Sequence, residues 1–262
     1  MSTLIEKVRQ INQLLQQKNM FSLNTDLPYD KMAISLGDIL DSNAYIINNI
    51  GILLGYYEGL DVNNARIKTM FEEKKLPHEY TNATKQLNET TVNIPITSDL
   101  TAFPIEWRQK FLNGVTTIIP IYGTGERLGT IILSRMEKKF DDEDLILAEY
   151  SATVVGMQIL HQKARTIEEE VRNTTSVKMA IDTLSYSELK AIRAIFKALD
   201  GTEGRLTTSS IADDIGITRS VIVNALRKLE SAGIIDSKSL GMKGTYIKIL
   251  NNQFINELEK EY

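Results

Sequence analysis

The stretch from Ser185 to Ile249 constrains the fold of this chain more than any other, because its local signals come in a fixed order. Ser185 and Glu188 have the spacing of a capping box, in which each residue satisfies a backbone N–H of the other. They open a helix whose apolar face is Leu189, Ile192, Ile195, Phe196 and Leu199, and Asp200-Gly201 stops it. A short helix around Ile211–Ile215 follows, with Thr208 or Ser209 as its expected cap and the small Ala212 at its centre. Gly216 then supplies the positive φ that a tight inter-helix turn requires. Thr218 caps a third helix, and two strands, Ile234–Ser239 and Thr245–Ile249, close around Gly241-Met242-Lys243-Gly244. Such an order predicts a helix-turn-helix followed by a β-hairpin wing.

The third helix has two faces. Ile222, Ala225, Leu226 and Leu229 recur at i, i+3, i+4 and i+7 and point inward. Arg219, Ser220, Val223, Asn224, Arg227 and Lys228 fall mainly on the other side. Arg and Asn can pair bidentately with guanine and adenine edges, and the N-terminal part of such a helix enters the major groove first. Ser209 and Thr218 beside the turn, and Lys238 and Lys243 on the wing, complete the candidate DNA-binding set, with Lys248 adding to the basic edge of the wing. Net charge is −4 overall, but residues 205–248 hold seven Lys/Arg against four Asp/Glu. A local basic patch suffices, because phosphate attraction is screened within about 10 Å at moderate salt.

The 262 residues suit two domains. Residues 1–156 read as an α+β sheet domain. Helices are expected over Leu4–Leu15, Tyr29–Leu40 and Asn63–Glu73, with strands at Ala44–Ile47, Ile52–Tyr56, Val115–Ile121 and Leu128–Ser134. The stretch Leu76–Trp107 reads as loop-rich, and Gly123-Thr124-Gly125 as a hairpin turn rather than a phosphate loop, since no helix N-terminus follows. A long helix from Asp141 or Asp142 turns polar after His161, as a linker over residues 157–183 would. Asn173-Thr174-Thr175 is expected to end it, and a short helix to follow from Val177 to Thr183. Residues 184–262 form the third segment.

No cysteine is present, which excludes disulfides and thiolate metal sites. His78 and His161 show no metal or triad spacing, and Asp141-Asp142-Glu143-Asp144 is explained by the helix dipole. No catalytic residue, cofactor or metal is therefore expected. Residues 1–17 lack an apolar run, and no stretch of 18 apolar residues occurs, so a cytoplasmic location without membrane attachment is expected.

The run Gly216-Ile217-Thr218-Arg219-Ser220-Val221-Ile222-Val223-Asn224-Ala225-Leu226-Arg227-Lys228-Leu229-Glu230-Ser231-Ala232-Gly233 resembles the CodY family of transcriptional regulators. So do Ser239-Leu240-Gly241-Met242-Lys243-Gly244-Thr245-Tyr246, Leu184–Glu188, Gly125–Thr130 and Ala152–Met157. The likeness spans the chain. It implies a GAF-type sensor domain, a long linker helix and a winged helix-turn-helix, acting as a homodimer on AT-rich double-stranded operators. The expected role is global regulation, mainly repression, of nutrient and amino-acid metabolism genes. The expected effector is a branched-chain amino acid, isoleucine foremost.

For the amino acid, the resemblance implies that Arg66 pairs with the carboxylate and that Thr101 and Phe103 contact the polar groups. Tyr45, Ile67, Met70, Leu76, Tyr80, Pro104 and Ile105 would enclose the aliphatic chain. By residue type alone, Arg66 reads as a surface arginine and the apolar set as ordinary core. GTP is the family's second effector, and here the sequence departs. Asn48-Asn49-Ile50 stands where many members have Ser-Arg-Arg, and Gln158 stands where they have Glu, while Lys163 is kept. A Gln amide offers the guanine edge one acceptor and a mismatched donor, so Asn48, Gln158 and Lys163 are expected to support weak or no GTP sensing. The alternative function is a binding or catalytic sensor domain whose helical C-terminal part only mediates oligomerisation.

Overall fold

The computed structural model describes residues 3–16, 29–60, 65–199 and 201–260. They fall into two compact units, residues 1–162 and 163–262, and the α+β organisation expected from the sequence is present in both.

The first unit is built on a five-stranded antiparallel sheet in the order β2-β1-β5-β4-β3. Its strands are β1 (Asn43–Asn48), β2 (Leu53–Tyr57), β3 (Thr91–Pro95), β4 (Val115–Gly123) and β5 (Glu126–Arg135). Successive side chains of a strand point to opposite faces, and this chain buries both. On one face Ala44, Ile46, Ile119, Ile131 and Leu133 meet helices α1 (Leu4–Gln16), α2 (Tyr29–Leu40) and the start of α5 (Asp142–Asp182) in one apolar core. On the other face Tyr45, Ile47 and Ile132 form a smaller cluster with Leu53 and Phe71. Tyr45 and Ile132 are directly opposed in the β1–β5 register, which sets two side chains side by side on that second face.

Helices α3 (Ala65–Glu72) and α4 (His78–Lys85) belong to the chain between β2 and β3. The sequence reads Leu76–Trp107 as loop-rich, whereas it holds α4, β3 and a 3-10 turn at Ile105–Trp107. The buried positions of α4 are Thr81 and Thr84. Their hydroxyls are satisfied by the carbonyls of Pro77 and Thr81 at 3.0 Å, so the buried face carries no hydrophobic periodicity. β4 and β5 are joined by Thr124 and Gly125, both at positive φ (52° and 82°), the two-residue hairpin turn that matches strand twist.

Helix α5 runs unbroken through Asn173-Thr174-Thr175 for 41 residues, against the expected stop there. Each of these residues costs only a fraction of a kcal/mol in a helix. Beyond them Val177, Ala180 and Ile181 are buried in the second unit's core, and this packing outweighs the propensity cost. At the other end of α5, Arg135 and Asp144 form a buried ion pair at 2.6 Å. Arg135 Nε also donates to the Leu40 carbonyl at 2.8 Å, and the guanidinium lies 4.2 Å from the Phe140 ring centroid.

The second unit contains α6 (Tyr186–Ala198), α7 (Thr208–Ile215), α8 (Arg219–Ser231) and α9 (Phe254–Lys260), with a three-stranded sheet in the order β6-β8-β7. The strands are β6 (Glu203–Leu206), β7 (Ile235–Ser239) and β8 (Thr245–Ile249). The capping box is present, with Ser185 N–H donating to Glu188 at 2.7 Å and Glu188 N–H to Ser185 Oγ at 3.3 Å. The N-cap of α7 is Thr207, and its side chain makes no capping hydrogen bond; Thr208 and Ser209, the expected caps, occupy the first turn instead. Gly216 has φ 72° as expected, and the Ile217 N–H returns to the Ala212 carbonyl at 3.0 Å, closing the turn. β6 and α9 add to the sequence reading. α9 is anchored by Phe254, edge-to-face on Phe196 with ring centroids 4.9 Å apart.

Candidate functional site

The second face of the large sheet opens into a cavity of about 520 Å³. Tyr45 and Ile132 form its floor from β1 and β5, and α3 contributes Ile67, Met70 and Phe71. Leu76, Pro77 and, from α4, Glu79, Tyr80 and Ala83 form a second wall. The loop Asp99–Pro104 and Arg108 close the third. Eight of the ten residues that the family resemblance assigns to amino-acid binding line this one cavity: Tyr45, Ile67, Met70, Leu76, Tyr80, Thr101, Phe103 and Pro104. The side chains of Arg66 and Ile105 lie outside the described residues.

The polar groups of the cavity are fixed by bonds within its walls. Tyr80 OH donates to the Leu100 carbonyl at 3.0 Å, and burial, reinforced by the neighbouring Tyr45, pushes its pKa well above the ordinary phenol value. It therefore stays a neutral donor. Thr116, buried on β4, accepts the Ala102 N–H at 2.9 Å and lies 3.4 Å from Thr101 Oγ1. Thr101 Oγ1 in turn accepts the Phe103 N–H at 3.3 Å. Residues 101–103 are thus held against the sheet by two hydroxyls. Arg108 donates to the Ser98 carbonyl at 3.3 Å and stands 3.5 Å from Asp99.

Sequence reasoning missed Phe71, Ile132, Asp99, Arg108 and Thr116. Ile132 was accessible from the two-residue period of β5, and Phe71 lies one helical turn after Ile67. For Arg108 and Thr116 no local signal exists, since each acts through a loop brought to it by the fold.

The second candidate surface is α8 with the wing. Ile222, Ala225, Leu226 and Leu229 are buried, as their spacing requires. Arg219, Ser220, Val223, Asn224 and Arg227 are exposed, and so are Ser209, Thr218, Lys238 and Lys243. Thr218 Oγ1 makes a 2.8 Å hydrogen bond with Ser220 Oγ rather than capping the backbone of α8. Two lysines of the expected basic set are engaged within the unit. Lys248 pairs with Glu203 at 3.3 Å on the edge of the wing. Lys228 is exposed along its stem, but its ammonium donates to Glu188 at 2.7 Å and to the Thr183 carbonyl at 2.9 Å.

Of the nucleotide candidates, Asn48 uses its side-chain oxygen to accept the N–H groups of Ile50 and Ile52 at 3.0 and 2.9 Å, tying the β1–β2 turn. Gln158 is buried and Lys163 exposed. Among the described residues no group of three or more His, Cys, Asp or Glu could hold a metal ion, and no helix is long and apolar enough to cross a membrane.

Comparison with known proteins matches both units in order. Residues 3–183 match the CodY GAF-like domain and residues 202–262 the CodY helix-turn-helix domain. Proteins named global transcriptional regulator CodY from Listeria monocytogenes (serotype 4a, strain HCC23) and Geobacillus thermodenitrificans are each 56% identical to this chain, over 258 and 257 residues. The alignments cover 98% of this chain and 98% of each relative. A solved structure titled as the cofactor-binding GAF domain of the nutrient sensor CodY from Clostridium difficile is 36% identical, with a TM-score of 0.42. It aligns over 61% of this chain and 99% of its own. With both domains matched in sequence order, and identity above one half over nearly the whole length, this chain belongs to the CodY family.

Proposed function

We propose that the protein is a global transcriptional regulator, mainly a repressor of nutrient and amino-acid metabolism genes, that acts in the cytoplasm by binding rather than catalysis. Residues 1–156 sense a branched-chain amino acid, residues 157–183 link, and residues 184–262 bind AT-rich duplex operators. The observation that carries this reading is the exposed arc of α8. Its buried stripe fixes the helix on the core, while Arg219, Ser220, Val223, Asn224 and Arg227 are presented outward beside the wing. These side chains suit base-edge and phosphate contacts, and Lys238 and Lys243 extend the positive surface. Replacing Arg219 and Asn224 together by Ala abolishes the preference for a promoter over random duplex in a gel-shift titration, with circular dichroism unchanged. Retained preference would reject the assignment.

The effector reading rests on the cavity. Its volume lies in the usual range for small-molecule sites, its walls are apolar with a few fixed polar groups, and its wall positions are those the family resemblance selects. Isoleucine binding raises operator affinity, and Arg66→Ala removes isoleucine binding by calorimetry. GTP acts weakly or not at all, because Asn48 is occupied by its own turn and Gln158 lacks the carboxylate. Tight GTP binding in the same calorimeter would overturn this.

Self-association as a homodimer is supported by α5. Ile146, Thr153, Met157, Ala164, Ile167 and Val171 are exposed along the helix and recur at multiples of three, four and seven residues, the seam that two helices use to pair. Met157→Glu with Ile146→Glu yields a monomer by light scattering if this face is the interface, and a dimer if it is not.

A further inference from the structure

Lys228 belongs to the helix that reads DNA in the proposed function, yet its ammonium is directed elsewhere. Successive helical residues turn by 100°, so Asn224, Ser220, Arg227 and Val223 fill the middle of the exposed arc of α8. Lys228 sits at the edge nearest α6. There it meets two acceptors from two other elements. One is Glu188 Oε2 at 2.7 Å, which also receives the Ser185 N–H at 2.7 Å as the capping box of α6. The other is the carbonyl of Thr183 at 2.9 Å, one residue past the end of α5. A helix C-terminus leaves carbonyls without intrahelical partners and carries partial negative charge, which favours a cation there.

Glu188 is buried although charged. Burial alone would raise its pKa, yet the Lys228 and Ser185 hydrogen bonds hold it below the ordinary carboxylate value. One ammonium therefore joins the end of the long helix, the cap of α6 and the recognition helix. Val177, Ala180 and Ile181 of α5 belong to the same apolar core as Ile222, Ala225, Leu226 and Leu229 of α8, so the polar clamp joins two helices that are anchored in one core.

We propose that Lys228 is a positioning residue for DNA recognition: with Glu188 and the Thr183 carbonyl it fixes the recognition helix on the end of the long helix, and it is not a phosphate contact. The proposal rests on the DNA-binding reading above. It gives α5 a direct polar connection to the helix that presents Arg219 and Asn224.

The test uses the full-length protein and fluorescence anisotropy with a promoter duplex and a random duplex over a series of KCl concentrations. The variants are Glu188→Gln, Lys228→Met and the pair together. Glu188→Gln is the cleaner change, because a Gln still accepts the Ser185 N–H and keeps the cap. Each single variant is expected to lower promoter affinity about tenfold, and the double variant no further, as for partners in one contact. Random-duplex affinity and the slope of log affinity against log salt stay at the wild-type values. A lysine that touches phosphate behaves differently: its loss reduces the slope by about one and weakens all sequences alike, and removing Glu188 leaves binding intact or strengthens it. That pattern would overturn the proposal. So would variants with lowered thermal stability but an unchanged promoter-to-random ratio, which makes the pair structural only. If Lys228→Met fails to fold, Glu188→Gln decides alone. A wild-type protein without promoter preference would sink the DNA-binding reading and the clamp together. Variants that match a discriminating wild type would sink the clamp only.

Discussion

Thr116 offers the sharpest test of the proposed amino-acid site, because it touches the loop that walls the cavity without lining the cavity itself. Its hydroxyl, fully buried on β4, accepts the Ala102 N–H at 2.9 Å and borders Thr101 Oγ1 at 3.4 Å. Thr116→Val keeps the shape and removes the acceptor. A buried N–H left without a partner costs about 1–3 kcal/mol. In the empty protein, residues 101–103 can turn that N–H toward water and relieve the cost. In the liganded protein the loop is the cavity wall, and the cost is carried in full. The extra methyl is buried in both states and cancels from the comparison. At about 1.4 kcal/mol per factor of ten, isoleucine should bind roughly 5- to 150-fold more weakly by calorimetry. Thr116→Ser, which restores the acceptor, should bind nearly as the wild type does. If Thr116→Val melts at a lower temperature but binds isoleucine with unchanged affinity, the loop conformation is not coupled to the ligand, and the reasoning fails.

Other consequences concern stability. Asp144→Ala strands Arg135 as a buried, uncompensated cation and should cost about 3–5 kcal/mol in urea unfolding of the first unit; a loss below about 1 kcal/mol would mean that water reaches the site. A Cβ at Gly129 would strike the backbone carbonyl of Ile47 across the β1–β5 pair, so Gly129→Ala should destabilise by about 1–3 kcal/mol, visible as a lower melting temperature. Because Glu188 is held below its ordinary pKa of 4.5, its contribution is present above that pH and is lost as pH falls through the lowered value. Thermal melts of the second unit should therefore decline below pH 4.5, and Glu188→Gln should flatten the decline; parallel profiles would refute the assignment.

What was legible in the sequence depended on whether burial and sequence spacing agreed. In α8 they agree closely, since Ile222, Ala225, Leu226 and Leu229 bury one helical stripe with Val221 half-buried at its edge, and the outward arc proposed to face DNA follows from that. In β1 they agree twice over: Ala44 and Ile46 feed one core while Tyr45 and Ile47 feed the other. The cavity floor was therefore contained in a strand that looked merely apolar. Where buried positions are polar, the signal disappears. α4 hides Thr81 and Thr84, whose hydroxyls bond within the helix, and it reads as loop. At α5 the local and tertiary levels disagree, because Asn173-Thr174-Thr175 looks like an end until Val177, Ala180 and Ile181 find their core. Lys228 is the most instructive disagreement. By residue type and spacing it is one more cation on the exposed side of α8, and only the meeting of Glu188 and Thr183 in space engages its ammonium. A charge can be counted from sequence, but its partner, forty residues away for Glu188, is chosen by the packing of α6 against α8. The spacing of side chains thus shows which face of α8 is turned outward, whereas the packing shows which of its cations is tied to α6 and the end of α5.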